Sequence, residues 1–200
     1  MQAPVSADDA VVVTLADGHR DLDGILSLQQ ENLAPNLPVE LARSEGFVTV
    51  VHTRAILERM HALAPSVVAR SGGKVVGYAL TMPLECRHFL PVLEPMFAML
   101  DRAAYEGSPL SRLRYYVMGQ VCVARPFRGT GLFAALYRRH AASFADRFDL
   151  VVTEISRRNG RSLRAHERVG FDVVAEYRDA TDDSVVVALD FRRRRERHPV

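Results

Sequence analysis

Cysteine is scarce in this chain: Cys86 and Cys122 are the only two in 200 residues. Two such residues make no disulfide framework, and none stands at metal-ligand spacing. The seven histidines are scattered and contain no H-E-x-x-H, so no metal site is expected. No apolar run approaches the ~20 residues needed to cross a bilayer. Asp8 and Asp9 lie near the N-terminus, with no basic segment ahead of an apolar run, so no secretory signal is read and a cytoplasmic location is expected. Neither sign of charge dominates. Twenty-six Lys and Arg against 24 Asp and Glu leave a net +2, which does not make the whole chain a polyelectrolyte. Two nucleotide signatures are also missing. There is no G-x-x-x-x-G-K-[ST], and G-x-G-x-x-G fails because Ala134 stands where the third glycine belongs. No internal repeat is visible.

What is present describes a soluble globular chain, 48% hydrophobic and 25% charged. Two hundred residues suffice for one domain with a real core. Residues 1–10 read as a loose end, 11–191 as the domain and 192–200 as a solvated basic tail. Nucleic-acid contact by that tail is the weaker reading. A first strand is expected from Val11 to Leu15. Asp21 is expected to cap a helix carrying Leu22, Ile25 and Leu26, and Thr53 one carrying Ile56, Leu57 and Met60. Between them lie a break with Pro35 and Pro38, and an extended or irregular stretch at 47–52. Two β-rich runs flanking Ser71-Gly72-Gly73 read as a hairpin, with Gly77 marking a bulge or a close neighbour. Residues 83–112 are apolar but broken by Pro91 and Pro95. They read as an insertion that serves as a lid, an acceptor wall or a dimer surface, or simply packs on the sheet. Tyr115 to Val123 is the central strand. A helical crossover leads to a second strand, Leu150 to Ile155, which is expected to lie parallel to it. Further strands are expected at 171–177 and 184–191.

Two motifs carry chemistry. The first joins the central strand to a helix through Val121, Cys122, Val123, Ala124, Arg125, Pro126, Phe127, Arg128, Gly129, Thr130, Gly131, Leu132 and Phe133. Pro126 ends the strand, having no ladder donor. Gly129 and Gly131 permit positive φ and close approach of a ligand to the backbone. From Leu132 the spacing is helical, with Leu136, His140, Phe144 and Phe148 on one face. The N–H groups and dipole of a helix start attract an anion, and Arg128 adds a full charge, so the turn reads as a pyrophosphate cradle. The alternative is a tight turn with solvated arginines. The second motif is a helix from Asn159 to Val169, stopped by Gly170 before Phe171. Asn159, Ser162 and His166 share one face. Asn159 serves either as a cap or as a ligand group, and His166 either as a satisfied interior histidine or as a functional one.

In this order the two motifs resemble the GNAT superfamily of N-acyltransferases. Arg128-Gly129-Thr130-Gly131 matches the acyl-CoA loop, and Asn159, Ser162, Glu167, Gly170 and Phe171 match the later stretch. Two departures stand out: Phe133 replaces a Gly or Ala, and His166 replaces the usual Tyr. The resemblance implies an α+β fold: a central, mostly antiparallel sheet with one splayed parallel strand pair and helices on both faces. It implies that acyl-CoA enters between the splayed strands. Val121, Cys122 and Val123 would bind the pantetheine through the backbone. Arg128, Gly129, Thr130, Gly131, Leu132 and Phe133 would hold the pyrophosphate, with Asn159, Ser162 and His166 completing the cofactor contacts. The implied reaction is acetyl transfer from acetyl-CoA to a primary amine, on a small molecule or a protein. Glu154 is the expected base, or a surface carboxylate, and His166 the expected proton donor to the thiolate. Cys122 is read as structural rather than nucleophilic. The alternative reading is a non-catalytic acyl-CoA-binding or regulatory module on the same fold. A nucleotide-binding role is disfavoured by the missing lysine and acidic metal partners. No nucleic-acid or membrane partner is expected, and a homodimer is left open.

Overall fold

The computed structural model describes residues 10–41, 46–178 and 182–193. Among the described residues seven strands pair in the order β1 (Val12–Leu15), β2 (Val67–Ser71), β3 (Lys74–Met82), β6 (Tyr115–Val123), β7 (Leu150–Ser156), β9 (Asp183–Asp190) and β8 (Asp172–Arg178), with β4 (Ala104–Tyr105) and β5 (Ser108–Pro109) as a separate small hairpin. The large sheet is mostly antiparallel with one parallel pair, and helices cover both faces. By internal packing the chain divides into two compact units, one drawn from 1–38, 47–81 and 119–140, the other from 39–46, 82–118 and 141–200.

The first unit begins with β1 (Val12–Leu15) and α1 (His19–Asn32). Helix α1 starts before the expected position. Its N-cap is Gly18, and Asp21 lies in the first turn without capping it. The Asp21 side chain is instead buried and paired with the Arg70 guanidinium, whose Nε–H donates to Oδ1 at 2.7 Å. The carboxylate therefore ties α1 to the sheet, and its Oδ2 also accepts Asp17 N–H just ahead of the helix, at 2.5 Å. Leu22, Ile25 and Leu28 form the buried stripe, each worth roughly 2 kcal/mol. Gly24 is needed for this contact, since a Cβ there would meet Val75 Cγ2 at 2.5 Å. Helix α2 (Arg54–Leu63) is capped as expected, with Ile56 N–H donating to Thr53 Oγ1 at 3.3 Å. The hairpin is β2 (Val67–Ser71) and β3 (Lys74–Met82). Ala69 pairs with Gly77 and Arg70 with Val75, so Val76 is one residue too many, and the bulge foreseen at Gly77 sits beside it. The carbonyl of Val76 then accepts Ala124 N–H at 2.8 Å, just past the end of β6 (Tyr115–Val123).

The second unit takes in the first part of β6. Asp149 and Leu150 N–H groups both donate to the Arg114 carbonyl, at 2.6 and 3.2 Å, and set the start of β7 (Leu150–Ser156) beside β6. The parallel pairing is short: Tyr115 with Leu150, Tyr116 with Val151 and Val117 with Val152. Both strands continue beyond it. At the last rung Thr153 Oγ1–H donates to the Met118 carbonyl at 3.2 Å, so a side chain takes the place of a backbone donor. Strand β9 (Asp183–Asp190) runs antiparallel to β7, from Leu150–Asp190 to Ser156–Ser184, and β8 (Asp172–Arg178) lies outside it. Tyr116 anchors the core, its ring centroid 5.7 Å from Phe144 and 4.9 Å from Phe148. Phe144 ends α4 (Leu132–Phe144); Phe148 was expected on that helix but follows it.

The insertion at 83–112 contains short 3-10 turns, α3 (Glu94–Leu100) with Pro95 in its first turn, and β4 (Ala104–Tyr105) paired with β5 (Ser108–Pro109). Met96, Phe97, Leu100 and Leu110 are buried. Arg87 binds Glu94 and Asp101 and lies 5.3 Å over the Phe97 ring. The expected solvated tail also needs correction at its start. Arg192 binds buried Asp190, and Arg193 NH1–H donates to Asp172 at 2.7 Å while pairing with Glu106. Opposite charges at one spot account for this ordering. The rest of the tail, 194–200, and residues 1–9 lie outside the described residues.

Candidate functional site

In the first unit the strand-to-helix turn is formed as the sequence implies. A single 3-10 turn, Arg125–Phe127, breaks β6, and its N–H groups are used locally: Phe127 donates to Ala124 and Arg128 to Arg125. Gly129 and Gly131 have φ of 82° and 85°, the left-handed region that disfavours other residues. A Cβ at either would meet nothing within 4 Å, so the turn opens onto free space. Thr130 Oγ1–H donates to the Phe127 carbonyl at 2.7 Å and holds the loop's shape. The first helical bond of α4 runs from Ala135 N–H to the Gly131 carbonyl, at 3.0 Å. The N–H groups of Leu132, Phe133 and Ala134 therefore precede the ladder, at the positive end of a 13-residue helix. Phe133, where the resemblance expects a small residue, packs its ring 5.2 Å from Tyr137.

The Arg128 side chain has partners on two neighbouring elements. Its Nε–H donates to the Val123 carbonyl at 2.9 Å, and an NH2 hydrogen goes to Asn32 Oδ1 at 2.6 Å. The side chain is turned back onto β6 and α1, where it braces the turn from behind. Val121 is half-buried, and Cys122 and Val123 are buried. Burial pushes the Cys122 thiol up to about 12, which favours its protonated form. Sequence reading did not single out two neighbours. Tyr78 O–H donates to Gln120 Oε1 at 2.5 Å, and Gln120 Nε2–H donates to the Val50 carbonyl at 2.8 Å. Nothing in a single sequence announces a polar bridge between strands; Gln120 reads only as one polar residue in an apolar strand.

In the second unit, Asn159 is the N-cap of α5 (Gly160–Val169), accepting Ser162 N–H at 3.1 Å. Gly46 lies so close that a Cβ there would come within 2.9 Å of Asn159 Oδ1. His166 is 2% exposed. Its Nδ1 lies 2.8 Å from the Ser162 carbonyl and 3.3 Å from Ser162 Oγ, and its ring meets Phe171 edge-on at 4.9 Å. A carbonyl can only accept, so Nδ1 carries the proton, and burial lowers the pKa to about 4. In this neutral tautomer Nε2 is an acceptor. The one proton of this tautomer, on Nδ1, is engaged with the Ser162 carbonyl. Gly170, at φ 100°, closes the helix, with its N–H donating to Glu167 at 2.9 Å. Glu154 is half-buried on β7, in register with Val186 of β9. Asn159, Ser162 and His166 are thus joined by hydrogen bonds, while Glu154 belongs to β7. Among the described residues no metal-binding cluster occurs, and no helix is long and apolar enough to cross a membrane.

No protein-family model matches the sequence, and no curated protein does. Solved structures do match the fold. The ribosomal-protein-S18-alanine N-acetyltransferase from Escherichia coli is 13% identical with a TM-score of 0.60, over 91% of this chain and 94% of that one. An acetyltransferase of the GNAT family from Streptococcus agalactiae is 15% identical with a TM-score of 0.61, over 90% and 95%. A chain of the NatC complex, solved bound to Gag peptide and CoA, is 13% identical with a TM-score of 0.58, over 90% and 98%. The likeness is one of fold.

Proposed function

We propose that this chain, which has the fold of the GNAT acetyltransferases, is an acyl-CoA-dependent N-acyltransferase that moves acetyl from acetyl-CoA to a primary amine. The observation that carries the reading is the open turn at the head of α4, with positive-φ glycines and the N–H groups of a helix start directed at one place. Gly129, Thr130, Gly131, Leu132 and Phe133 hold the diphosphate through main-chain donors. Arg128 fixes the turn. Val121, Cys122 and Val123 present strand backbone to the pantetheine amides. Bound acetyl-CoA supplies a thioester activated toward amines.

An aliphatic ammonium has a pKa of about 10 and must lose a proton before it attacks. Strand β6 carries no acid, so Glu154 is the carboxylate assigned to accept that proton, directly or through a water. Asn159 and Ser162 fix the N-terminus of α5. His166 is given a structural role, as a neutral ring that orders that helix.

The neutral His166 and the acid-free β6 favour one competing reading, an acyl-CoA-binding module without turnover. Titration with acetyl-CoA and release of free CoA over a panel of amines separate the two. Binding with amine-dependent release supports the enzyme. Binding without release supports the module. An absence of acetyl-CoA binding refutes both.

A further inference from the structure

We propose that Asn32 is a positioning residue that couples the anion cradle to the segment 47–52; this rests on the acyl-CoA reading above. Asn32 is the last residue of α1 and is 7% exposed. Its side-chain oxygen accepts the Arg128 guanidinium at 2.6 Å, and its amide donates to the Leu28 carbonyl at 2.8 Å. One side chain is thus held at both ends: the helix fixes its orientation, and it in turn fixes the arginine behind the cradle.

The main chain of the same residue faces the other way. Its carbonyl accepts Val48 N–H at 3.0 Å, and Ala34 N–H donates to the Val48 carbonyl at 3.0 Å, forming a short parallel bridge. Two residues on, the Val50 carbonyl takes Gln120 Nε2–H from β6, and Gln120 takes the Tyr78 hydroxyl. The main chain of His52 pairs with both ends of the Gln29 amide, at 2.9 and 3.0 Å. A continuous set of hydrogen bonds therefore runs from the Val123 carbonyl through Arg128 and Asn32 to Val48, and returns to β6 at Gln120. Segment 47–52 has little regular structure of its own, so its place depends on these bonds. Whatever fixes Arg128 also fixes Val48, and the linkage is reciprocal.

The test uses the full chain and the variants Asn32→Ala and Asn32→Asp. Aspartate keeps an oxygen for Arg128, whereas alanine keeps none. Without ligand, N32A is expected to speed amide exchange both at Val48 and at Phe127–Arg128, with N32D close to wild type at the turn. With acetyl-CoA, wild type is expected to gain protection at Val48. N32A is expected to bind about tenfold more weakly and to lose that remote protection, while N32D stays within threefold of wild type. Circular dichroism of each variant establishes that it is folded. A wild type that binds acetyl-CoA while N32A binds within twofold of it overturns this proposal alone. So does unchanged exchange at Val48 in N32A. A wild type that takes up no acetyl-CoA overturns the proposed function and this coupling with it.

Discussion

Three histidines, His52, His140 and His166, are 1%, 0% and 2% exposed, and burial lowers each to a pKa of about 4 from 6.5. Each has a nitrogen spoken for: His52 Nδ1 is 3.2 Å from Gln29 Oε1, His140 Nε2 is 3.1 Å from the Ala79 carbonyl, and His166 Nδ1 bonds to Ser162. Because the folded values lie below the unfolded one, protons favour the unfolded chain. The histidines' contribution is intact above pH 6.5, falls as pH drops toward 4, and is fully lost below it. From linkage, each neutral ring costs the fold ~2 kcal/mol at pH 5 and almost nothing at pH 7, so the three together remove roughly 5–6 kcal/mol over that interval. This is comparable with the whole stability of a typical domain, about 5–15 kcal/mol. Urea unfolding at pH 7, 6 and 5, followed by far-UV circular dichroism, is expected to show this loss, with complete acid unfolding between pH 5 and 4. His140→Gln is expected to reduce the pH slope by about a third, whatever it does to stability at pH 7. In parallel, three imidazole proton resonances are expected to keep their neutral shifts down to pH 5. A loss below about 2 kcal/mol, or three resonances titrating near pH 6.5, would refute the reasoning.

Glu154→Gln is expected to slow turnover at least tenfold with acetyl-CoA affinity nearly unchanged; equal rates across pH would remove Glu154 from the mechanism. Gly131→Val places a branched residue at φ 85° and is expected to cost about 1–3 kcal/mol in urea unfolding. The same substitution is expected to weaken acetyl-CoA binding by calorimetry, and full affinity would exclude the cradle. Asn159→Ala removes a helix cap and is expected to cost about 1 kcal/mol. If acetyl-CoA affinity survives that change, Asn159 is a cap alone.

The regular elements were legible wherever spacing or turn chemistry is local. Thr53, the Ser71-Gly72-Gly73 hairpin, the nine-residue strand at Tyr115 and the Gly170 stop all act through neighbours in sequence. The mostly antiparallel sheet with its one parallel pair was implied by the resemblance that the two motifs carry. What stayed hidden depends on distant partners. Asp21 looks like a helix cap until Arg70, 49 residues away, claims it. Val123 and Asn32 each take a hydrogen of Arg128, and the second partner lies 96 residues away. Arg192 and Arg193 look solvated until Asp190, Asp172 and Glu106 surround them. Charged side chains are long and choose partners by the folded geometry, which no local pattern encodes.

The supernumerary Val76 gives β3 two incompatible phases. Side chains before it and after it alternate on opposite parities, so excising that single residue would leave both halves paired with β2 and turn the bulge into regular ladder. Tyr78 would keep Val68 as its partner and Gly77 would keep Ala69, but the local bend and added twist of the bulge would be gone. Ala124 would also lose the carbonyl that fixes where the chain leaves β6. The location of the strand-to-helix turn is in this sense counted out in β3, some fifty residues upstream.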